Sequence, residues 1–199
     1  MRLLILGPPG AGKGTQASRI AEALKIPAIS TGDIFRTNIR NNTPLGQKVQ
    51  GIIEAGQYVP DEVTNEIVFD RLSQDDAKNG YLLDGYPRTI EQVWALREWH
   101  WGHDTDLDHV IELTVPDEQV VERLLKRAEI EGRADDTEEV IRERMKVYHA
   151  ETTPIADMAR ERGLVREVDG TGSIDQVFER CMEALKTPVV APPRPGRED

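Results

Sequence analysis

A chain of 199 residues, 38% apolar and 31% charged, is long enough to bury one substantial core and suits a single domain with inserts. Its net charge of −11 argues against general nucleic-acid affinity, because an acidic surface repels a phosphate backbone; any anionic ligand must be held by a local cluster of positive charge. A lone cysteine, Cys181, excludes an internal disulfide and a cysteine-rich zinc site. No stretch approaches the roughly 20 apolar residues of a membrane span, and the N-terminal apolar run is too short for a signal sequence, so the expected location is the cytoplasm.

The apolar run Arg2 to Leu6 reads as a strand that breaks into GPPGAGKGT, Gly7 to Thr15. Ala17, Ile20, Ala21 and Leu24 then recur at helical spacing until Pro27, and Pro27 to Ser30 reads as a short second strand. Ser30, Thr31 and Asp33 supply capping chemistry for a helix through Arg40. Asn41 to Pro44 is a turn cluster, Leu45 to Ala55 a short helix closed by Gly56, and Pro60 and Asp61 start a longer helix with Val63, Ile67 and Leu72 on one face. The span 30–59 has no strand of its own and reads as an insert.

Tyr81 to Leu83 is a third strand, ending in Asp84, Gly85, Tyr86, Pro87 and Arg88; its carboxyl end is expected to bring polar residues beside the glycine-rich loop. A helix follows from Thr89 to about Trp99. His109 to Val115 is a fourth strand, and Pro116 and Asp117 open a helix with Val120, Val121, Leu124, Leu125 and Ala128 as its stripe. GRADDTEE interrupts this pattern before a long helix through Met145 and Tyr148, expected to bend at Pro154. Leu164 to Val168 is a fifth strand, and Ile174, Val177, Phe178, Cys181 and Leu185 mark the buried side of a last helix. This alternation predicts an α/β fold with a five-stranded parallel sheet wrapped by helices, and residues 188–199, Pro-rich and charged, read as a disordered tail.

A strand that stops at Gly7 and a helix that starts near Lys13 would leave several backbone N–H groups facing one concave turn, and such a nest binds anions. Gly7, Gly10, Gly12 and Gly14 remove the β-carbons that would keep phosphate oxygens away. Lys13 adds a point charge worth on the order of 4 kcal/mol at contact. The pattern G-x-x-x-x-G-K-[ST] is met from Gly7 to Lys13, except that Gly14 stands where the hydroxyl belongs and Thr15 follows it. Arg36, Arg88, Arg123, Arg127, Arg133 and Arg144 fall where the chain changes element; each alone reads as a solvated charge, but together they suggest a clamp for several phosphates.

GPPGAGKGTQ, STGDIFR, LLDGYPRT, the VPDE helix opening and GRADDTEEVIRERMKVY occur here in the order that adenylate kinases carry them. The sequence resembles that family from GPPGAGKGT to VDGTGS. The resemblance implies a three-layer P-loop fold with core segments 1–29, 60–125 and 137–187, a small helical monophosphate-binding insert at 30–59 and a short lid at 126–136. It implies reversible transfer from magnesium-bound ATP to AMP, giving two ADP, with nucleotides as the only partners, neither nucleic acid nor membrane, and a monomeric state. By the same resemblance Gly10, Ala11, Gly12, Lys13, Gly14 and Thr15 would hold the ATP phosphates, Arg123 and Arg127 would meet ATP, and Gly172 would lie near its adenine. Thr31, Arg36, Arg88 and Gln92 would hold AMP, with Gln57, Tyr58, Val59, Gly85, Tyr86 and Pro87 around its base and ribose, and Arg133 and Arg144 would grip the transferring phosphate. Lys13, Arg88, Arg127, Arg133, Arg144 and Asp84 would form the catalytic set. Asp84, with Thr15 as a further candidate, would hold magnesium through water, while Asp135 and Asp136 would position the lid arginines and cap the next helix. The short lid resembles the form without a zinc cluster, so no structural metal is expected.

Two other readings compete. A nucleotide switch of the GTPase kind needs a guanine-reading Asn/Thr-Lys-x-Asp motif, which is absent, and a small-molecule kinase fits poorly with the arginines after Asp84. The cluster Trp99, His100, Trp101, His103, Asp104 and Asp106 reads as a helix end with partly buried tryptophans rather than a metal site. His149 is read as structural and Cys181 as a buried, unreactive thiol.

Overall fold

The computed structural model describes residues 1–131 and 137–189; Arg133, Asp135, Asp136 and residues 190–199, for which roles or disorder were expected from the sequence, lie outside the described residues. The fold is built on a parallel sheet in the order β2-β3-β1-β4-β5. The first strand, β1 (Arg2–Leu6), is central, between β3 (Tyr81–Asp84) and β4 (His109–Thr114), with β2 (Ala28–Ser30) and β5 (Val165–Asp169) at the edges. Every pairing is parallel, and Leu4 lies opposite Leu83 on one side and Val110 on the other. The α/β class and the five parallel strands expected from the alternation are both present.

Because strand side chains alternate and helices cover both faces, β1 must be apolar at every position from Leu3 to Leu6. Leu3 and Ile5 join Leu82, Ile111 and Leu113 in one core, closed by Ile20 of α1 (Lys13–Leu24), Leu124 of α6 (Asp117–Glu131), Ile141 of α7 (Glu138–Val147) and Cys181 of α9 (Ile174–Ala184). Leu4 and Leu6 join Leu83 and Val110 in the opposite core, closed by Val68 of α4 (Asp61–Leu72), Leu96 of α5 (Ile90–Gly102) and Ile155 of α8 (Thr153–Glu161). Each fully buried aliphatic side chain contributes about 1.5–3 kcal/mol. The helices α2 (Thr31–Arg40) and α3 (Pro44–Glu54) make a third, smaller cluster of Phe35, Val49 and Val59 that also takes in Val63 and Ile67 of α4.

Several helix starts follow from local chemistry. Ser30, Thr43, Thr89 and Thr137 each accept a backbone N–H from the first turn, and Ser173 and Gln176 form a reciprocal capping box. Other boundaries differ from the sequence expectation. The helix begun at Thr89 runs through Gly102, and Leu125 and Ile174, expected on buried stripes, are exposed because neither turns toward a covering element. The interruption expected at Pro154 comes earlier, as a π-helical turn over Tyr148–Thr152, since Pro154 sits comfortably in the first turn of α8. Beyond α9, Arg166 donates to the carbonyls of Thr187 and Pro188 and Val189 packs against the second core, so these positions at the start of the expected tail are held.

Candidate active site

The carboxyl ends of β1 and β3 adjoin, Ile5 lying opposite Asp84, and the chain leaves both strands into glycine-bearing turns. Backbone groups freed at such strand ends are what make this edge of a parallel sheet a ligand site. The turn after β1 is tight: the amide of Ala11 donates to the carbonyl of Pro8 at 3.1 Å, and a β-carbon on Gly10 would stand 2.8 Å from Cγ of Leu124. The ammonium of Lys13, the first residue of α1, folds back and donates to the carbonyls of Gly7 (2.8 Å) and Pro8 (2.9 Å). Burial lowers its pKa to about 8; Asp84 opposes the shift, while the charges of Arg88, Arg144 and Arg127 add to it. Cations gathered this closely repel one another, and an anion between them relieves that repulsion.

Beside Lys13 opens a cleft continuous with solvent. Of the residues singled out in the sequence it brings together Lys13, Thr31, Arg36, Gln57, Tyr58, Val59, Gly85, Pro87, Arg88, Gln92 and Arg144. The carbonyl of Gly85 accepts from both Thr31 Oγ1 and Arg88 Nε, each at 2.8 Å. A β-carbon on Gly85 would stand 2.8 Å from Thr31 Oγ1 and from Arg88 Nη2, and its φ of +79° lies in the left-handed region, so only glycine fits. Gln92 is buried with both ends engaged: its Oε1 accepts from the Arg88 amide (2.7 Å) and its Nε2 donates to Asp61 (2.6 Å). Arg36 bonds Asp33 at 2.6 Å, and Gln57 donates to Glu143 at 2.7 Å. The buried Tyr86 donates to Asn65 at 2.6 Å, and the Tyr86–Pro87 peptide is cis.

The remaining expected residues lie around the start of α1. Gly12, Gly14 and Thr15 are exposed, and Asp84 Oδ2 lies 3.5 Å from where a β-carbon on Gly14 would stand. Arg123 donates to the carbonyl of Gly170 at 3.2 Å, which ties α6 to the loop that carries Gly172 into α9. Arg127 does not line the cleft but acts on Lys13 through its charge. Sequence reasoning missed Asp61, Tyr148 and Thr152. Asp61 receives Thr89 Oγ1 (2.9 Å) as well as Gln92, and Tyr148 and Thr152 line the cleft. The sequence signalled Asp61 only as a helix opener, and nothing in the spacing marked the other two.

Residues set aside have ordinary partners. The buried His100 pairs with Tyr81 and Thr105, each at 2.8 Å, and Trp99 stacks between Phe69 and His103. Among the described residues no group of three or more His, Cys, Asp or Glu is arranged for a metal ion, and no helix is long and apolar enough to cross a membrane. His149 is half exposed and faces Asp117 at 3.3 Å, and burial pushes the Cys181 thiol up to about 11.

A glycine-rich turn after the central parallel strand, a lysine opening the next helix and arginines across the adjoining cleft define a P-loop phosphotransferase. Comparison narrows the class: the adenylate kinase family profile matches residues 5–164. The chain is 58% identical to an adenylate kinase of Clavibacter michiganensis over 184 residues, covering 92% of each protein. It is also 58% identical to one of Micrococcus luteus, covering 92% of this chain and 90% of that protein, and 49% identical to one of Thermobifida fusca, covering 94% and 99%. The chain belongs to the adenylate kinase family and is a nucleotide-binding kinase that moves a phosphoryl group between ATP and AMP.

Proposed function

We propose that the γ-phosphate of ATP passes reversibly to AMP, giving two ADP, by charge neutralisation and positioning rather than by base catalysis. The acceptor oxygen of a monophosphate is already anionic, so the barrier lies in bringing two polyanions together in line. The observation that carries this reading is the convergence of Lys13, Arg36, Arg88 and Arg144 on one cleft beside the glycine-rich turn. Gly10 to Thr15 offer backbone donors to the ATP phosphates, Lys13 carries charge across to the transferring group, and Arg123 and Arg127 hold ATP on its far side, with Gly172 near its adenine. Arg36 and Arg88 take the AMP phosphate, Thr31, Gln57, Tyr58, Val59, Gly85, Tyr86, Pro87 and Gln92 shape the room for its nucleoside, and Arg133 and Arg144 close on the phosphate in transit. The segments 30–59 and 126–136 are the two that would cover AMP and ATP and keep water, a competing acceptor, from the reaction.

The donors beside the turn, the Asp84 carboxylate and the Thr15 hydroxyl, are hard oxygens suited to magnesium. Bound with ATP, magnesium supplies charge neutralisation at the phosphates; Asp84 would hold it through water, with Thr15 as the second candidate. A cytoplasmic monomer with no nucleic-acid or membrane partner completes the reading, and sedimentation at the mass of one chain checks it. A coupled assay offering AMP, CMP, UMP and GMP tests the acceptor: AMP should be fastest by a wide margin, and equal rates with UMP would remove the adenylate assignment.

A further inference from the structure

The π-helical turn over Tyr148–Thr152 is the one place between α7 and α8 where the helical hydrogen-bond pattern widens, and turns of this kind commonly sit at functional positions. Its last residue, Thr152, is 5% exposed and points its hydroxyl at the carbonyl of Arg88, 2.9 Å away. A hydroxyl has one proton, and here the carbonyl receives it. The second contact of Thr152 Oγ1, to the Tyr58 hydroxyl at 2.9 Å, therefore has Tyr58 as donor. The bonds run one way: Tyr58 to Thr152 to Arg88. Tyr58 also lays its ring against the same residue, with Cζ of Arg88 5.1 Å from the ring centroid.

Arg88 is thus held at its amide by Gln92, at its carbonyl by Thr152, at Nε by Gly85 and on its guanidinium face by Tyr58. Tyr58 belongs to the link between α3 and α4, where the chain leaves the helical insert. Thr152 belongs to the junction that follows α7, the helix that carries Arg144. Neither belongs to the turn that carries Arg88, so this aim depends on three separate stretches of chain meeting.

We propose that Thr152 is a positioning residue: it fixes the peptide of Arg88 when Tyr58 is in place, and so couples the insert's location to the aim of the phosphate-binding arginine. This rests on the reading of Arg88 given under Proposed function. Packing alone could keep Thr152 buried, but packing needs only its shape, whereas the coupling needs its hydroxyl.

The test compares Thr152→Val, which keeps the shape and removes the hydroxyl, with Thr152→Ser, Tyr58→Phe and the double variant Tyr58→Phe/Thr152→Val. Initial rates are measured with AMP and ATP varied in turn, and each variant is melted. Thr152→Val should lose about tenfold in kcat/KM for AMP, with KM for ATP within about twofold and Tm within a few degrees of the parent. Thr152→Ser should recover most of the loss, and Tyr58→Phe should cost less alone and add nothing to Thr152→Val. A Thr152→Val enzyme within twofold of the parent, a serine that fails to rescue, or losses from the two sites that simply multiply would each overturn the coupling. Arg88→Ala separates the two readings: if it keeps parental turnover, the role of Arg88 itself falls; if it is inactive while Thr152→Val is unimpaired, only the coupling falls.

Discussion

The ammonium nitrogen of Lys13 lies 2.8 Å from the carbonyl oxygen of Gly7, so the first residue of α1 clasps the residue that follows the end of β1. Burial and the neighbouring guanidinium charges of Arg88, Arg144 and Arg127 lower this lysine to about 8 although Asp84 opposes them. In the proposed mechanism a phosphate beside Lys13 restores the charged form, so at pH 8.5 the enzyme should take up protons as ATP binds. Calorimetry in buffers of different ionisation enthalpy reads this directly, and Lys13→Met should abolish it; equal heats in all buffers would separate Lys13 from the phosphate. For the free protein, a folded pKa below the ordinary 10.5 means that the unfolded chain binds more protons between about 8 and 10.5. The contribution of Lys13 to stability therefore rises with pH across that window.

Lys13→Ala and Arg88→Ala should each lower turnover by roughly 10²–10⁴, because in the proposed mechanism each removes charge aimed where charge develops in the transition state. Neither residue belongs to the buried apolar core, so melting should shift by only a few degrees. Steady-state kinetics beside thermal melts decide it, and near-parental kcat in either variant would remove that residue from the reaction.

Gly85→Ala should be costly out of proportion to one methyl group. The new β-carbon meets Thr31 Oγ1 and Arg88 Nη2, both at 2.8 Å, in a backbone at φ +79°. About 1–3 kcal/mol of stability should be lost, read by chemical denaturation, together with a raised KM for AMP and an unchanged KM for ATP.

Gln92→Leu tests whether this side chain acts on AMP directly or through Arg88. The substitution strips the Arg88 amide and Asp61 of a partner at once, which should destabilise the fold by about 1–3 kcal/mol and reduce kcat as well as affinity for AMP. A rise in KM for AMP alone, with unchanged stability, would mean that Gln92 serves the nucleotide and not the arginine.

Cys181, fully buried with its thiol pushed up to about 11, should resist thiol reagents in the native protein and react on unfolding. Labelling across a denaturant series should track the unfolding transition; rapid labelling in native buffer would place the thiol at a surface.

Much of the architecture is legible in the sequence. Runs such as Leu3 to Leu6 must be apolar throughout because both faces of their strand are covered, and Ser30 announces a helix by chemistry that acts within one turn. The errors fell where distant packing decides. Ile174 and Leu125 have the spacing of buried residues yet face solvent, and the break after α7 falls at Tyr148–Thr152 rather than at the proline.

The same division runs through the site. By itself the sequence determined that a glycine-rich turn suited to phosphate follows the first strand and that arginines are available beside it, because glycine spacing, a helix start and fixed charge are local properties. Only the tertiary structure decided which groups hold them: Gln92 and Thr152 on the two ends of the Arg88 peptide, Asp61 behind Gln92, and Gly7 beneath Lys13. Hydrogen bonds between residues 31 or 64 positions apart leave no periodicity to read, and their short range means that they exist only once the sheet has brought the segments together.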